Sequence, residues 1–576
     1  MNTRFPKTAD FAALDYEQAL SELDAGKVEW ARLPISHRIG ILKDVKASAL
    51  NASEEWVAMA DKAKGITPTS PFAGEEWYTG PYAVQIACTE LIGTLSQMEG
   101  RRYLTPLKKR RRHNGQLAVQ VMPSNLWDHL IFSGIKAEVW MQEGVDEHNV
   151  PQHTASIYDS DLDALTGAVS LVLGAGNVSA IAVLDVLHKL FSELEVCLLK
   201  LNPVNDYLLE PLQKALKPLI DANALRIVKG DGAVGGWLLD HPLVSNVHIT
   251  GSVATHDAIV WGTGAAGKER RKKGTPKLDK PITSELGAVT PVIVVPGPWS
   301  DTDLRFHAQN LVSQKLTNSG FNCVAGQVYV LPDGWSGTET LMKYTKERLA
   351  KIKRPAYYPG ALDRMAAFRK KSKTLEEVAR KDSPPVLINH LSDDPIFAEE
   401  EYFAPVMALH HLKAKDSETY LRDAIKFGNE KLYGTLGVHV MIHPKTIAQI
   451  GRERFDEILT DLRYGTICIN AYAGLNFLST RTSWGAFPGH TLKDIQSGIG
   501  TVHNTLMFDK PERSIVEAPF YPFPRSFLKG KFSLLPNPPW FQSNRQHLRI
   551  AKALTHFFNR STFLGFLRVI SLALRG

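Results

Sequence analysis

Cys323, in Asn318-Ser-Gly-Phe-Asn-Cys-Val-Ala-Gly-Gln327, follows Glu285, in Ser284-Glu-Leu-Gly-Ala-Val-Thr-Pro291, by 38 positions. A thiol and a carboxylate suit the two halves of a covalent reaction: a thiolate attacks a carbonyl carbon, and a carboxylate activates the water that releases the thioester. A cysteine taken singly is more often a core residue than a nucleophile, so the pair needs partners. Asn177, in the turn Gly174-Ala-Gly-Asn-Val-Ser179, carries an amide that could donate to an oxyanion or merely satisfy its own turn.

The same turn stands between a strand and a helix, where a nucleotide-binding fold places its glycine-rich loop, although Ser179 replaces the third glycine. Lys200 ends the next strand, from which a lysine reaches a ribose or phosphate. Gly251 and Ser252 precede a helix whose first N–H groups suit a pyrophosphate. In Glu400-Glu-Tyr-Phe-Ala-Pro405, Glu401 and Phe403 are two apart on a segment that reads as extended, so both face one side.

Holding these residues together requires an α/β frame. Apolar residues at helical spacing predict helices over 15–64 and 81–97, and a strand over 116–122. From 168 onward, strands at 168–174, 196–201, 225–229 and 246–250 alternate with helices at 178–194, 207–216 and 234–239, which predicts a parallel sheet with covered faces. A second α/β region follows Glu285, with strands at 291–295, 327–331, 437–441 and 466–470. The basic run Lys108-Lys-Arg-Arg-Arg112 reads as a solvated loop. No internal repeat is evident.

A chain of 576 residues, 44% of them hydrophobic, supports two or three domains. Cys88, Cys197, Cys323 and Cys468 are scattered, with neither a CxxC pair nor a Cys/His cluster, which argues against a disulfide framework or zinc site and for a reducing compartment. Residues 1–10 contain no apolar signal-peptide core, so a cytoplasmic location is the default. The net charge is +7, yet nine Lys or Arg and no Asp or Glu lie from Ala518 to the end, so the rest of the chain is slightly acidic. Aromatic and aliphatic residues among those cations favour a membrane surface over nucleic acid. Residues 545–574 read as an amphipathic helix lying on a membrane or docked on another subunit. The apolar stretch 563–574 contains Arg568 and is too short to span a bilayer.

In order, these pieces resemble the aldehyde dehydrogenase superfamily over about residues 30–504. The 23-position separation of Asn177 and Lys200 matches the family's Asn-to-Lys spacing. Ile249-Thr-Gly-Ser252 is similar to its Phe-Thr-Gly-Ser loop, Ser284-Glu-Leu-Gly287 to its Leu-Glu-Leu-Gly base motif, and Gly320-Phe-Asn-Cys323 to its Gly-Gln-Xaa-Cys nucleophile motif. Glu400-Glu-Tyr-Phe-Ala-Pro405, Tyr433-Gly-Thr-Leu-Gly437 and Gly465-Thr-Ile-Cys-Ile-Asn470 resemble later elements. The resemblance implies that Cys323 is the nucleophile, Glu285 the general base and Asn177 part of an oxyanion hole. It further implies that Lys200, Gly251, Ser252, Glu401 and Phe403 bind NAD or NADP, with no metal. Departures are the missing second glycine in Gly251-Ser-Val-Ala-Thr-His256, Phe321 in place of glutamine, and Ala404 in place of glycine.

The implied organisation is an α/β fold with N-terminal helices and a Rossmann-type cofactor domain over 1–286, interrupted by an insertion at about 124–163. A catalytic domain over 287–490, a return or oligomerisation segment over 491–517 and a basic amphipathic tail over 518–576 follow. Residues 267–274 read as a further insertion. Asn125, in Met122-Pro-Ser-Asn125, mimics a family turn but lies 75 residues from Lys200. The implied activity is oxidation of a small-molecule aldehyde to its acid by a cytoplasmic homo-oligomer, peripheral at a membrane if the tail binds one. Pro203 leaves NADP allowed, because no carboxylate stands there to repel a 2′-phosphate. Two alternatives stand beside it. Gly176-Asn-Val178 resembles the acyl-CoA reductases of luminescent bacteria, against which Glu285 weighs, and a membrane-attached scaffold without catalysis would need none of these groups.

Overall fold

Short apolar runs such as Val169–Leu173 and Val196–Lys200 are buried along nearly their whole length, as strands covered on both faces by helices must be. The computed structural model describes residues 16–391, 394–530 and 533–576. Residues 1–10, read above for a signal peptide, lie outside this set, as does Lys531 of the basic tail. A six-stranded sheet runs in the order Gly498–Ile499, Ile282–Leu286, Asn246–Gly251, Val169–Leu173, Val196–Lys200, Leu225–Val228. Its strands are parallel except for the Gly498–Ile499 edge. This sheet carries Lys200, Gly251 and Glu285 at or near strand ends.

A second sheet of eleven strands has at its centre Thr466–Ile469, Gly437–Met441, Pro291–Val294, Val328–Asp333 and Val406–Lys413, all parallel. The strand Val328–Asp333 follows Cys323 directly, so the cysteine loop is anchored by one of the most buried strands of the molecule. Residues 491–517 join the two sheets: Gly498 pairs with Glu285, and Pro511–Glu517 enters the second sheet. A side chain at Gly498 (φ 116°) would meet the Ser284 carbonyl oxygen at 2.0 Å, so glycine is required there.

Three expectations need correction. The basic run is not a solvated loop: Lys108–Arg111 is an edge strand paired with Leu117–Met122. Arg112 is buried over the Trp140 ring at 3.8 Å and paired with Asp456 at 3.1 Å. Residues 124–163 are not simply an insertion into the cofactor domain, because Lys136–Met141 lies between Leu117–Met122 and Pro511–Glu517 in the second sheet. Asn125 caps the helix Leu126–Ile131 by accepting from the Asp128 N–H.

The third correction concerns the tail. Residues 545–574 form two helices, His547–Asn559 and Phe563–Ala573, separated by a break and folded onto the protein itself. Ile550, Leu554, Phe557 and Phe558 are buried, with Phe557 edge-on to Trp127 and Phe558 edge-on to Tyr82. The cations also find acids of this chain: Arg525 pairs with Asp303 at 2.6 Å and Lys552 with Glu54 at 2.9 Å. Phe563, Leu564, Leu567 and Leu574 remain exposed. No helix among the described residues is long and apolar enough to cross a membrane.

The tail helix His547–Asn559 crosses the short helix Ala73–Trp77 at Gly74, where an added Cβ would meet the backbone of His547 and Leu548 at 2.7 Å. Backbone cannot rotate away as a side chain can. Gly74→Ala should therefore lower stability by about 1–3 kcal/mol, despite alanine's better helix propensity, and a urea midpoint unchanged from wild type would show that the tail does not pack there.

Candidate active site

The loop that presents Cys323 is built from a sharp turn. Asn318 (φ 48°), Ser319 (φ 58°) and Gly320 (φ 87°) are successive left-handed residues after the helix Asp301–Leu316. Such a run is costly and persists only where its surroundings hold it. Asn318 is the hub of that hold: its N–H donates to Glu75 Oε2 (2.8 Å), and its amide nitrogen donates to the carbonyls of Asn177 (3.0 Å) and Phe321 (2.9 Å). The Tyr357 hydroxyl donates to Asn318 Oδ1 at 2.9 Å, and Lys64 Nζ donates to the Asn177 carbonyl at 3.0 Å. Lys64 and Glu76 form a buried ion pair at 2.8 Å, and Glu75 pairs with Arg354.

On this support the Cys323 thiol donates to Glu285 Oε1 at 3.4 Å. Cys323 is half-buried, whereas the other three cysteines are fully buried. Burial pushes its pKa well above the ordinary thiol value, and the Glu285 and Glu401 carboxylates push it the same way. Burial likewise raises Glu285 to about 7, with Asp185 adding to the shift and the Trp484 indole N–H and the Cys323 thiol opposing it. The Trp484 N–H lies too far or too oblique for a proper hydrogen bond, so among the described residues Glu285 Oε2 is unpartnered and open to a water or a substrate group. The Asn177 amide donates one N–H to the Phe321 carbonyl at 3.0 Å; an amide has two, so one donor remains.

All eight residues singled out from the sequence, Asn177, Lys200, Gly251, Ser252, Glu285, Cys323, Glu401 and Phe403, line one cavity of about 1200 Å³. Ser252 caps the helix Val253–Val260 by accepting from the Thr255 N–H. The N–H groups of Val253 and Ala254, which the helix itself cannot satisfy, border the cavity. Lys200 is buried, which lowers its pKa while Asp206 and Asp231 oppose the shift, and its Nζ donates to the Leu201 carbonyl at 3.2 Å.

Glu401 and Phe403 share the cavity, yet their segment is not a regular strand: Phe403 has φ 37°. Glu401 packs against Gly287, where a Cβ would stand 2.0 Å from its Oε2, so the glycine of Glu285-Leu-Gly287 makes room for this carboxylate. Burial raises Glu401 to about 8, with Arg364 and Lys315 opposing and Glu285 adding, and its Oε1 is unpartnered. Sequence reasoning missed Lys64, Glu75, Asn318, Lys315 and Arg364. Of these only Asn318 carried a signal, its place in the cysteine motif.

Residues 204–482 match the aldehyde dehydrogenase family. The chain is 24% identical over 278 residues to the mitochondrial succinate-semialdehyde dehydrogenase of Arabidopsis thaliana, an alignment covering 44% of this chain and 47% of that protein. The chain thus spans about half the length of the curated relatives it matches. The fold is shared with an indole-3-acetaldehyde dehydrogenase complexed with NAD+ (TM-score 0.56, 17% identity, 89% of this chain and 90% of that one). It is shared also with the NADP-dependent glyceraldehyde-3-phosphate dehydrogenase of Bacillus halodurans C-125 complexed with NADP (TM-score 0.55, 17% identity, 87% and 90%).

Because alkylation requires the thiolate, labelling of Cys323 by iodoacetamide should be slow at pH 7 and climb about tenfold per pH unit to at least pH 9. Glu285→Gln removes a charge that disfavours the thiolate, so it should label several-fold faster at pH 8. Slower labelling of that variant would contradict the electrostatic role of Glu285.

Proposed function

We propose that the chain is a member of the aldehyde dehydrogenase family, whose model matches residues 204–482, and that it oxidises an aldehyde to the carboxylic acid with NAD or NADP, through a covalent intermediate on Cys323. The observation that carries this reading is the Cys323 thiol donating to Glu285 inside the same cavity that gathers Lys200, Ser252 and Glu401. The cavity suits a dinucleotide. Lys200 and the free N–H groups that begin the helix Val253–Val260 would hold its anionic part, and the unpartnered Glu401 Oε1 would accept from ribose hydroxyls. Gly232 and Gly236 border the cavity with open space where side chains would stand. NAD or NADP bound there supplies the hydride acceptor.

The chain's own residues do the rest. Glu285, 3.4 Å from the sulfur, takes the thiol proton as Cys323 adds to the aldehyde carbon. The remaining Asn177 N–H and the Cys323 backbone N–H stabilise the oxyanion, each donor contributing roughly 3 kcal/mol. After oxidation a thioester remains on Cys323. Glu285 then draws a proton from water, hydroxide adds to the acyl carbon, and the C–S bond breaks to release the acid and restore the thiol. This second duty of Glu285 favours oxidation over the acyl-CoA reductase alternative, which needs no activated water.

Cys323→Ala should give no reduced cofactor at all. Glu285→Gln should keep the amplitude of the single-turnover burst, formed more slowly because solvent must take the thiol proton, while steady-state turnover falls at least about 100-fold, and loss of the burst amplitude in both variants would refute the hydrolytic role of Glu285. Water activation needs the ionised carboxylate, so wild-type steady-state turnover should rise as pH increases through about 7, the value to which burial raises Glu285, and level off above it. Absorbance of the reduced cofactor reads all three.

A further inference from the structure

Two apolar chambers lie beyond the reacting sulfur. The inner one, of about 80 Å³, opens on Cys323, Asn177 and Ile181, which also line the large cavity; its other walls include Val324, Phe477 and Trp484. The outer one, of about 90 Å³, is walled by Tyr82, Ile86 and Ile131 from the N-terminal half and by Ile550, Leu554 and Ile570 from the tail. Tyr78, Leu475, Leu478 and Trp540 line both chambers, so the two are adjoining compartments.

Resting on the aldehyde oxidation proposed above, we infer that these chambers are one acyl tunnel and that the substrate is a long-chain aliphatic aldehyde, its hydrocarbon end seated between the helices His547–Asn559 and Phe563–Ala573. The chemistry of the walls selects this class. Among the described residues no charged side chain lines the outer chamber. In the inner one Glu75 is already paired with Arg354, and His547, packed 5.1 Å from the Tyr78 ring, is held neutral by burial. An aldehyde carrying a carboxylate or phosphate would find no lysine or arginine on either wall, and desolvating that charge unpaired is prohibitive. A polymethylene chain has no polar group to desolvate on entering and gains at most about 0.8 kcal/mol per methylene buried, a factor of about four, less the cost of ordering the chain.

The outer chamber exists only because the tail folds back. Leu535, Pro539, Trp540, Ile550, Leu554 and Ile570 all come from beyond the residues that match the family. Chain-length selection is therefore a property of this chain's own extension.

The test is kcat/KM of the full-length protein for propanal, octanal and dodecanal, in wild type and in Ile570→Trp, which fills the far chamber. The wild-type value should rise at least 100-fold from propanal to dodecanal, and the dodecanal-to-propanal ratio should drop at least tenfold in the variant. A flat series with measurable turnover would overturn the tunnel and leave aldehyde oxidation standing. Protection of wild-type Cys323 from iodoacetamide gives a readout without turnover or mutation: dodecanoate should protect at concentrations at least 100-fold below propanoate. Equal protection by the two acids would overturn the tunnel. If no aldehyde is turned over, the oxidation reading fails, and this protection measurement alone decides whether the tunnel binds a chain.

Discussion

The hydrogen bond from the Asn318 N–H to Glu75 is the contact on which the site depends. Of the three successive left-handed residues, Asn318 and Ser319 cost on the order of 1–3 kcal/mol each, and one buried carboxylate holds the first of them. Burial would protonate Glu75, but Arg354, Gln542 and the Asn318 N–H together keep its pKa below the ordinary value. Buried ion pairs contribute little net stability compared with apolar replacements, but removing one partner leaves an unpaired charge at a cost of about 3–5 kcal/mol. Glu75 thus fixes geometry more than it adds stability. Its partners come from three distant places: Arg354 precedes the aromatic pair Tyr357 and Tyr358, Asn318 begins the cysteine turn, and Gln542 belongs to the tail. The tail that walls the outer chamber is therefore bonded to the loop that aims the nucleophile.

Around the sulfur the electrostatics favour a shared proton. Cys323, Glu285 and Glu401 are all shifted towards their protonated forms, first by burial, and Glu285 adds to the shift of the other two. Glu285 is the carboxylate to which the thiol donates, at 3.4 Å, so a proton leaving sulfur moves to it. The same burial that makes the thiolate scarce makes Glu285 a base matched to neutral pH. Lys315, pushed down to about 7 by burial although Glu401 opposes the shift, acts on that carboxylate together with Arg364 and was invisible as such in sequence.

Residues legible in the sequence were those whose meaning is local. Asn177, Lys200, Gly251, Glu285 and Cys323 each stand at a strand end, a helix start or a turn, and hydrophobic periodicity marks those places. Long-range satisfaction was not legible. Arg112 lies in a run of five cations, which reads as solvated until Asp456, 344 residues later, is seen to neutralise it. An amphipathic helix has the same periodicity whether its apolar face covers a membrane or its own core. Nothing in residues 545–574 announces that Tyr82 and Trp127 are waiting for Phe558 and Phe557.

The departures at Phe321 and Ala404 are explained together. Phe321 is fully buried in an aromatic wall, 5.1 Å from Tyr357, 5.6 Å from Tyr358 and 5.7 Å from Phe403. A glutamine there would leave an amide among rings, a cost that phenylalanine avoids. The backbone function of the position survives, because the Phe321 carbonyl still accepts from both Asn177 and Asn318. Gly320 must stay glycine, since a Cβ would lie 3.1 Å from the Ala404 carbonyl, whereas the side chain at 404 is free to be alanine because it points into the core. The motif thus sets aromatic packing where its resemblance implies side-chain polarity, while the Phe321 carbonyl and the Asn177 and Asn318 amides hold the loop that positions Cys323 beside Glu285.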